Sequence, residues 1–207
     1  MSVPALSDAA VCAHLVKSAY SNTLPPRYEV LFTLPDDFGW LLKDTETGTA
    51  GVIIRGARDL SDWLCNSHFE LQKTPCGGIH EGFWEAANSF WLPLCMELNQ
   101  LPKGTRLVLA GHSLGAAIAT VLAVQLYPLP LEVYTFASPK TGDARFAKVY
   151  NMLKIKTERY TNRLDIVPHL PEGFGYRHVC PGIEFNDGHI GAILENHTLD
   201  TYIRNIK

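Results

Sequence analysis

The chain has 207 residues, 46% of them apolar and 19% charged, with a formal net charge of −3. That size and mix suit one globular domain over residues 1–207, able to bury about 70% of its unfolded surface. The mixed, slightly acidic charge excludes a polyanion-binding face, and with it nucleic acid as a partner. Cys12, Cys65, Cys76, Cys95 and Cys180 form no C-x-x-C pair and the histidines lack zinc-site spacing, so no metal site is expected. Cys65 and Cys76 are close enough in sequence to pair in an oxidising compartment. The opening MSVPALSDAA has neither the basic n-region nor the apolar core of a signal peptide, which favours a cytoplasmic over a secreted location.

Residues 7–20 open with Ser7-Asp8 and carry apolar residues at helical spacing, which predicts a helix stopped before Pro25 and Pro26. Strands are expected over Tyr28–Leu34 and Gly39–Lys43, joined by the turn Pro35-Asp36-Asp37, with a third strand over Ala50–Arg55. A helix follows over Glu81–Leu98, where Phe83, Trp84, Ala87, Phe90 and Trp91 build an apolar face and Pro93 either kinks it or starts a second segment. Leu107–Ala110 is a short apolar run, and the Ala-rich stretch to Gln125 favours helix. Averaged hydropathy over 107–131 is high enough to imitate a membrane span, but His112, Ser113 and Gln125 interrupt it, and Pro128 and Pro130 end it; no transmembrane segment is expected. A strand over Leu131–Ala137, a turn over 138–142, a helix over Asp143–Leu153 and a strand over Lys156–Thr161 come next. Pro168–Pro181 reads as a Pro/Gly-rich loop containing a short strand in YRHVC, and Asn196–Ile206 closes the chain with a helical pattern.

Between the run at 107–110 and the following helix stands Gly111-His112-Ser113-Leu114-Gly115, a G-x-S-x-G pattern. Strand, tight glycine turn and helix in that order are the context of a nucleophile elbow, where strained backbone holds a serine out at the end of a sheet. The flanking glycines are needed because side chains there would strike the neighbouring strand and helix. The bland alternative is a glycine-rich turn whose serine caps a helix.

A serine hydroxyl needs a base to take its proton and an acid to orient that base. On α/β-hydrolase-like sheets the chain order is Ser, then acid, then His, which restricts the partners to residues beyond 113. Asp165 follows a predicted strand directly, whereas its rival Asp143 is placed as a helix cap. Among His169, His178, His189 and His197, the last is preferred because it stands at the entry to the final helix, where a loop can return to the sheet end; His189 ranks second. His112 is expected to point away from the reacting atoms. An oxyanion hole takes one N–H from the residue after the nucleophile, here Leu114, and one from an earlier strand exit, here the Arg55-Gly56-Ala57 stretch.

Taken together, VIIRGARDLSDWL, GIHEGFWEAA, LVLAGHSLGAAIA, YTFASPKTGD, NRLDIVPHLP and HTLDTYI resemble the class 3 lipase family, which includes the fungal triacylglycerol lipases. The matches lie in the family's order between residues 52 and 203. The resemblance implies an α/β fold with a central, mostly parallel sheet flanked by helices. It casts Ser113 as nucleophile, Asp165 as acid, His197 as base, and the N–H groups of Ala57 and Leu114 as oxyanion donors. Where the family carries Ser or Thr after Arg-Gly this chain has Ala57, so one assisting hydroxyl is missing; a donor of that kind is worth about 2.7–4 kcal/mol, which implies a modest rate. The family's amphipathic lid would correspond to Leu60–Gly78 with Trp63, Leu64 and Phe69, a stretch that suits a fixed amphipathic helix equally well.

The expectation is therefore a serine carboxylic-ester hydrolase acting on lipid esters through an acyl-enzyme, without metal or organic cofactor, and touching a lipid–water interface transiently. A non-lipolytic esterase of the feruloyl type would use the same chemistry. A catalytically inactive binding module would keep only the scaffold.

Overall fold

A computed structural model describes residues 8–59, 70–173, 175–187 and 193–206. Helix α1 (Ala9–Ser21) begins where the Asp8 carboxylate accepts the N–H of Ala10 at 2.8 Å, and ends at Asn22 in the left-handed region. β1 (Tyr28–Thr33) and β2 (Gly39–Asp44) form a hairpin around the single turn Pro35–Asp37, and β3 (Ala50–Ile54) pairs antiparallel with β2. β6 (Leu107–His112), β7 (Leu131–Phe136), β9 (Lys156–Asn162) and the edge strand β11 (Ile183–Phe185) run parallel to β3. The seven strands lie in the order β1-β2-β3-β6-β7-β9-β11, the mostly parallel sheet that the elbow pattern requires.

Alternation along the central strands explains why helices cover both faces. Val52, Ile54, Leu107 and Leu109 join one core with Phe83 and Phe90 of α2 (Glu81–Leu98), the inner face of α3 (Leu114–Gln125), and Phe146 and Tyr150 of α4 (Ala144–Met152). Ile53, Val108 and Ala110 face the opposite way, onto Cys12, Leu15 and Val16 of α1 and onto Leu199 and Tyr202 of α6 (Leu199–Asn205). Helix α2 runs unbroken through Pro93, whose missing N–H removes one rung of the helix at exposed Ser89. Among the described residues no helix is long and apolar enough to cross a membrane.

Two expectations are corrected. A second, antiparallel sheet is present, made of β4 (Leu71–Thr74), β5 (Gly77–His80), β8 (Gly142–Asp143) and β10 (Tyr176–Arg177) in the order β10-β8-β5-β4. Residues 71–78 are thus part of a β-hairpin rather than a lid: Thr74 Oγ1 donates to the Gly77 carbonyl at 2.8 Å, and Gly77 turns the chain at φ 125°. The rest of the expected lid, with Trp63, Leu64, Cys65 and Phe69, lies outside the described residues, so the Cys65–Cys76 pairing does too. The final helix also begins later than expected: the pattern from Asn196 becomes α6 only from Leu199, with a separate short α5 (Ile193–Asn196) before it and His197 and Thr198 between the two.

The elbow is built by close backbone approach. Ser113 adopts φ 55°, ψ −125°, and its N–H donates to the Phe136 carbonyl at 2.9 Å, fastening the turn to β7. A Cβ on Gly111 would lie 2.3 Å from the Gly115 carbonyl oxygen, and one on Gly115 would lie 2.4 Å from the carbonyl oxygens of both Ile54 and Arg55. Those neighbours are backbone and cannot rotate away. Gly115→Ala should therefore lift α3 off β3. We expect a loss of about 2 kcal/mol of stability, net of the better helix propensity of alanine. That corresponds to a melting temperature about 4–8 °C lower. Thermal unfolding followed by circular dichroism checks this, and an unchanged midpoint would contradict the packing described.

Candidate active site

Each candidate side chain stands at the carboxyl end of a parallel strand or in the segment that returns to it. Ser113 follows β6, and Asp165 ends the turn leaving β9, where its N–H donates to the Asn162 carbonyl at 3.1 Å. His197 occupies the break between α5 and α6. All three are buried, Asp165 completely.

Their side chains form one line. Ser113 Oγ is 2.8 Å from His197 Nε2, and His197 Nδ1 is 2.8 Å from Asp165 Oδ2 and 3.0 Å from Oδ1. The carboxylate accepts only, so Nδ1 carries the imidazole proton and Nε2 presents its lone pair to the serine hydroxyl. Asp165 is itself held on both oxygens: the Val167 N–H donates to Oδ1 at 3.0 Å, and the Tyr202 hydroxyl donates to Oδ2 at 2.7 Å. Burial, followed by the charge of Asp165, pushes the Tyr202 phenol well above its ordinary pKa, so it remains a donor. The acid and base segments are stitched together. Asn162 Nδ2 donates to the Asn196 carbonyl at 3.2 Å, and Asn196 Nδ2 donates to the Leu164 carbonyl at 3.3 Å.

The strand exit at Arg55–Ala57 lies against the serine. A Cβ on Gly56 would stand 2.8 Å from Ser113 Cβ, a closeness that only glycine permits. Arg55 braces this loop, its guanidinium donating to the carbonyls of Gly56, Asp37 and Asp36 at 2.8, 2.8 and 3.1 Å and lying 5.1 Å over the Phe38 ring. The N–H of Ala57 and that of Leu114, at the start of α3, have no acceptor among the described residues. A pocket of about 340 Å³ opens over Ser113, lined by Tyr20, Ala57, His112, His197 and Leu199, with Lys17, Arg58, Leu194 and Asp200 around it. The Lys17 ammonium is ion-paired with Asp200.

The rival candidates are engaged elsewhere. Asp143 caps α4, accepting the N–H of Phe146 at 2.8 Å on one oxygen and that of Gly78 at 2.8 Å on the other. His178 donates Nε2–H to the Pro168 carbonyl at 2.7 Å, and burial lowers its pKa to about 4. His169 is exposed in a single turn of helix, and His189 lies outside the described residues. His112 is engaged on both ring nitrogens, bonding Tyr20 and the His197 carbonyl. Tyr20, Tyr202 and Arg55 were not anticipated as supports. Tyr20 and Tyr202 lie far along the chain from the groups they hold and carry no local motif, and the sequence marks the Arg55 position without showing what its guanidinium grips.

The arrangement is that of a serine hydrolase, and comparison with known proteins agrees. Residues 51–174, about three fifths of the chain, match the family described as Lipase (class 3). The chain is 34% identical over 145 residues to a secreted mono- and diacylglycerol lipase 1 of Fusarium solani, covering 63% of this chain and 42% of that protein. It is 32% identical over 161 residues to a secreted mono- and diacylglycerol lipase A of Penicillium cyclopium, covering 72% and 52%. The chain thus spans about half the length, or less, of the curated relatives it matches. Among solved structures, the native Rhizomucor miehei lipase propeptide complex superposes with a TM-score of 0.76 at 24% identity, covering 85% of this chain and 67% of that one, which shows the shared fold. The relatives' names overturn the expected cytoplasmic location, since both carry the word secreted. That expectation rested on the first ten residues alone, and an export leader is a detachable address that leaves no mark on the folded sheet and helices.

Proposed function

We propose, for a chain that belongs to the class 3 lipase family, that it hydrolyses lipid esters through a serine acyl-enzyme, with residues 1–207 acting as one α/β-hydrolase domain. The observation that carries the reading is the buried line from Ser113 Oγ through His197 to Asp165, with each link at 2.8 Å. As Ser113 Oγ attacks the acyl carbon, His197 Nε2 takes its proton, and Asp165 stabilises the resulting imidazolium and fixes its orientation. The carbonyl oxygen, now negative, receives the N–H groups of Ala57 and Leu114. Collapse expels the alcohol, which leaves with the proton from His197. A water then attacks the acyl-enzyme while giving its proton to the same nitrogen, and the acid product departs from restored Ser113.

Acylglycerols are the substrate class named for the matched Fusarium and Penicillium relatives, and we extend it to this chain. The pocket supports that choice, with Leu199 in its lining and Leu194, 59% exposed, at its edge, an apolar side chain placed to meet a lipid surface.

A fluorophosphonate probe combined with an ester chain-length series, run below and above the substrates' solubility limits, tests the reading. We expect stoichiometric labelling and turnover of emulsified mono- and diacylglycerol. Labelling with turnover confined to soluble short-chain esters would make it a non-lipolytic esterase instead. A folded protein that takes no label would be a binding module, and the proposal would fail.

A further inference from the structure

We propose that Tyr20 is a positioning residue for the oxyanion loop and that, with His112, it fastens that loop to the segment carrying His197. The inference rests on the serine-hydrolase reading above, but on different atoms.

Three hydrogen bonds connect four segments distant in sequence. The Gly56 N–H donates to Tyr20 Oη at 2.7 Å, Tyr20 Oη lies 2.8 Å from His112 Nδ1, and His112 Nε2 lies 2.8 Å from the His197 carbonyl oxygen. Every donor can be assigned. A carbonyl oxygen only accepts, so Nε2 of His112 bears a proton. Burial and the neighbouring His197 hold the His112 pKa well below its ordinary value, which keeps the ring neutral and leaves Nδ1 as an acceptor. The Tyr20 hydroxyl therefore gives its proton to Nδ1 and takes that of Gly56. Burial pushes its own pKa up to about 12, so it stays protonated. The chain runs one way, from the oxyanion loop through the phenol and imidazole to the backbone of the base.

This assignment decides what the loop can offer the substrate. The Gly56 N–H is spent on Tyr20, and the Gly56 carbonyl accepts from Arg55 Nη1 at 2.8 Å. Both ends of that residue are fixed, so the next peptide plane is set and the N–H of Ala57 is the group left over. The phenolic proton, committed to His112, is not a substitute for the hydroxyl missing at Ala57. With backbone donors at Ala57 and Leu114 and no hydroxyl on the Ala57 side chain, the site depends on the orientation of the Ala57 peptide, and Tyr20 holds it.

Tyr20 stands in the last turn of α1, whose buried residues Cys12, Leu15, Val16 and Ala19 seat the helix on the sheet. Its ring meets His112 edge-on at 5.9 Å between centroids, a contact that phenylalanine would keep. Tyr20→Phe is thus the informative variant. On a soluble p-nitrophenyl ester we expect kcat to fall about tenfold, the size of one lost neutral hydrogen bond, with KM within twofold of wild type. We also expect the preference for the oxygen ester over its thionoester to shrink, because sulfur accepts hydrogen bonds poorly and gains less from a well-placed oxyanion donor. A purely structural role would lower the melting temperature and leave that preference untouched. Unchanged kcat, a loss confined to KM, or undiminished thionoester discrimination would each overturn the proposal. Should Tyr20→Phe not fold, His112→Gln breaks the same chain one link later and is read by the same ratio. Fluorophosphonate labelling of wild type and of Ser113→Ala tests the underlying reading separately, since neither depends on Tyr20.

Discussion

Ser113→Ala is expected to lower kcat by about 10⁶-fold and to abolish labelling by a fluorophosphonate, while the protein remains folded. The loss is large because the serine oxygen is the atom that bonds to the acyl group, and without it His197 has no proton to take. The oxyanion donors and the binding pocket survive, so a residual acceleration of about 10³–10⁴ over water should remain. The fold should tolerate the change. The Ser113 backbone keeps its bond to the Phe136 carbonyl, and its own carbonyl still accepts the N–H groups of Ala116 and Ala117 at 3.0 and 3.3 Å. Alanine and serine meet the same strain at φ 55°, so the elbow loses only a hydroxyl. Steady-state kinetics with a circular dichroism control settles the point; appreciable turnover in the folded variant would remove Ser113 from the nucleophile's role.

Asp165→Asn should lower kcat by about 10⁴-fold with a much smaller change in KM. The carboxylate faces three donors: His197 Nδ1, the Val167 N–H and the Tyr202 hydroxyl. All three are satisfied only if both oxygens accept. His197 Nδ1 lies within bonding distance of both oxygens, so an asparagine's N–H₂ faces the imidazole whichever way it turns, and it also faces Tyr202 in place of Oδ2 or Val167 in place of Oδ1. The imidazole that meets the N–H₂ moves its proton to Nε2 and can no longer take one from Ser113. The Tyr202 or Val167 donor left without an acceptor costs about 1–3 kcal/mol in stability. Kinetics and thermal unfolding should register both losses. Near-normal turnover would move the acid elsewhere, and Asp143 would be a poor successor because both its oxygens are committed to the N–H groups of Gly78 and Phe146.

The parts that sequence reasoning reached were those with a local signature or a fixed order. The elbow is contiguous, and its glycines are demanded by contacts of 2.3 and 2.4 Å that a Cβ would create. Asp165 and His197 follow from the order of the partners after the serine, and Asp143 excluded itself by its place beside a helix start. Of the small antiparallel sheet only the strand in YRHVC was legible; the others are two to four residues long and two of them, Gly142–Asp143 and Gly77–His80, begin with glycine, so they carry no readable alternation. The start of the last helix was read three residues early, because Asn196-His197-Thr198 continues its pattern, whereas His197 stands between two helices with its ring bonded to Asp165 and Ser113. Tyr20 was invisible in principle, since a tyrosine in an amphipathic helix is an ordinary residue until its 92-residue-distant partner is placed beside it.

The break at His197 and the reach of Tyr20 also bear on what is inherited as a unit. Similarity to the family is registered over residues 51–174, yet the base stands 23 residues beyond that span and the phenol 31 residues before it. One hydrolytic centre is therefore assembled from residues both inside and outside the stretch that matches the family. Two such chains can align well through the elbow and still differ in whether their flanks complete it.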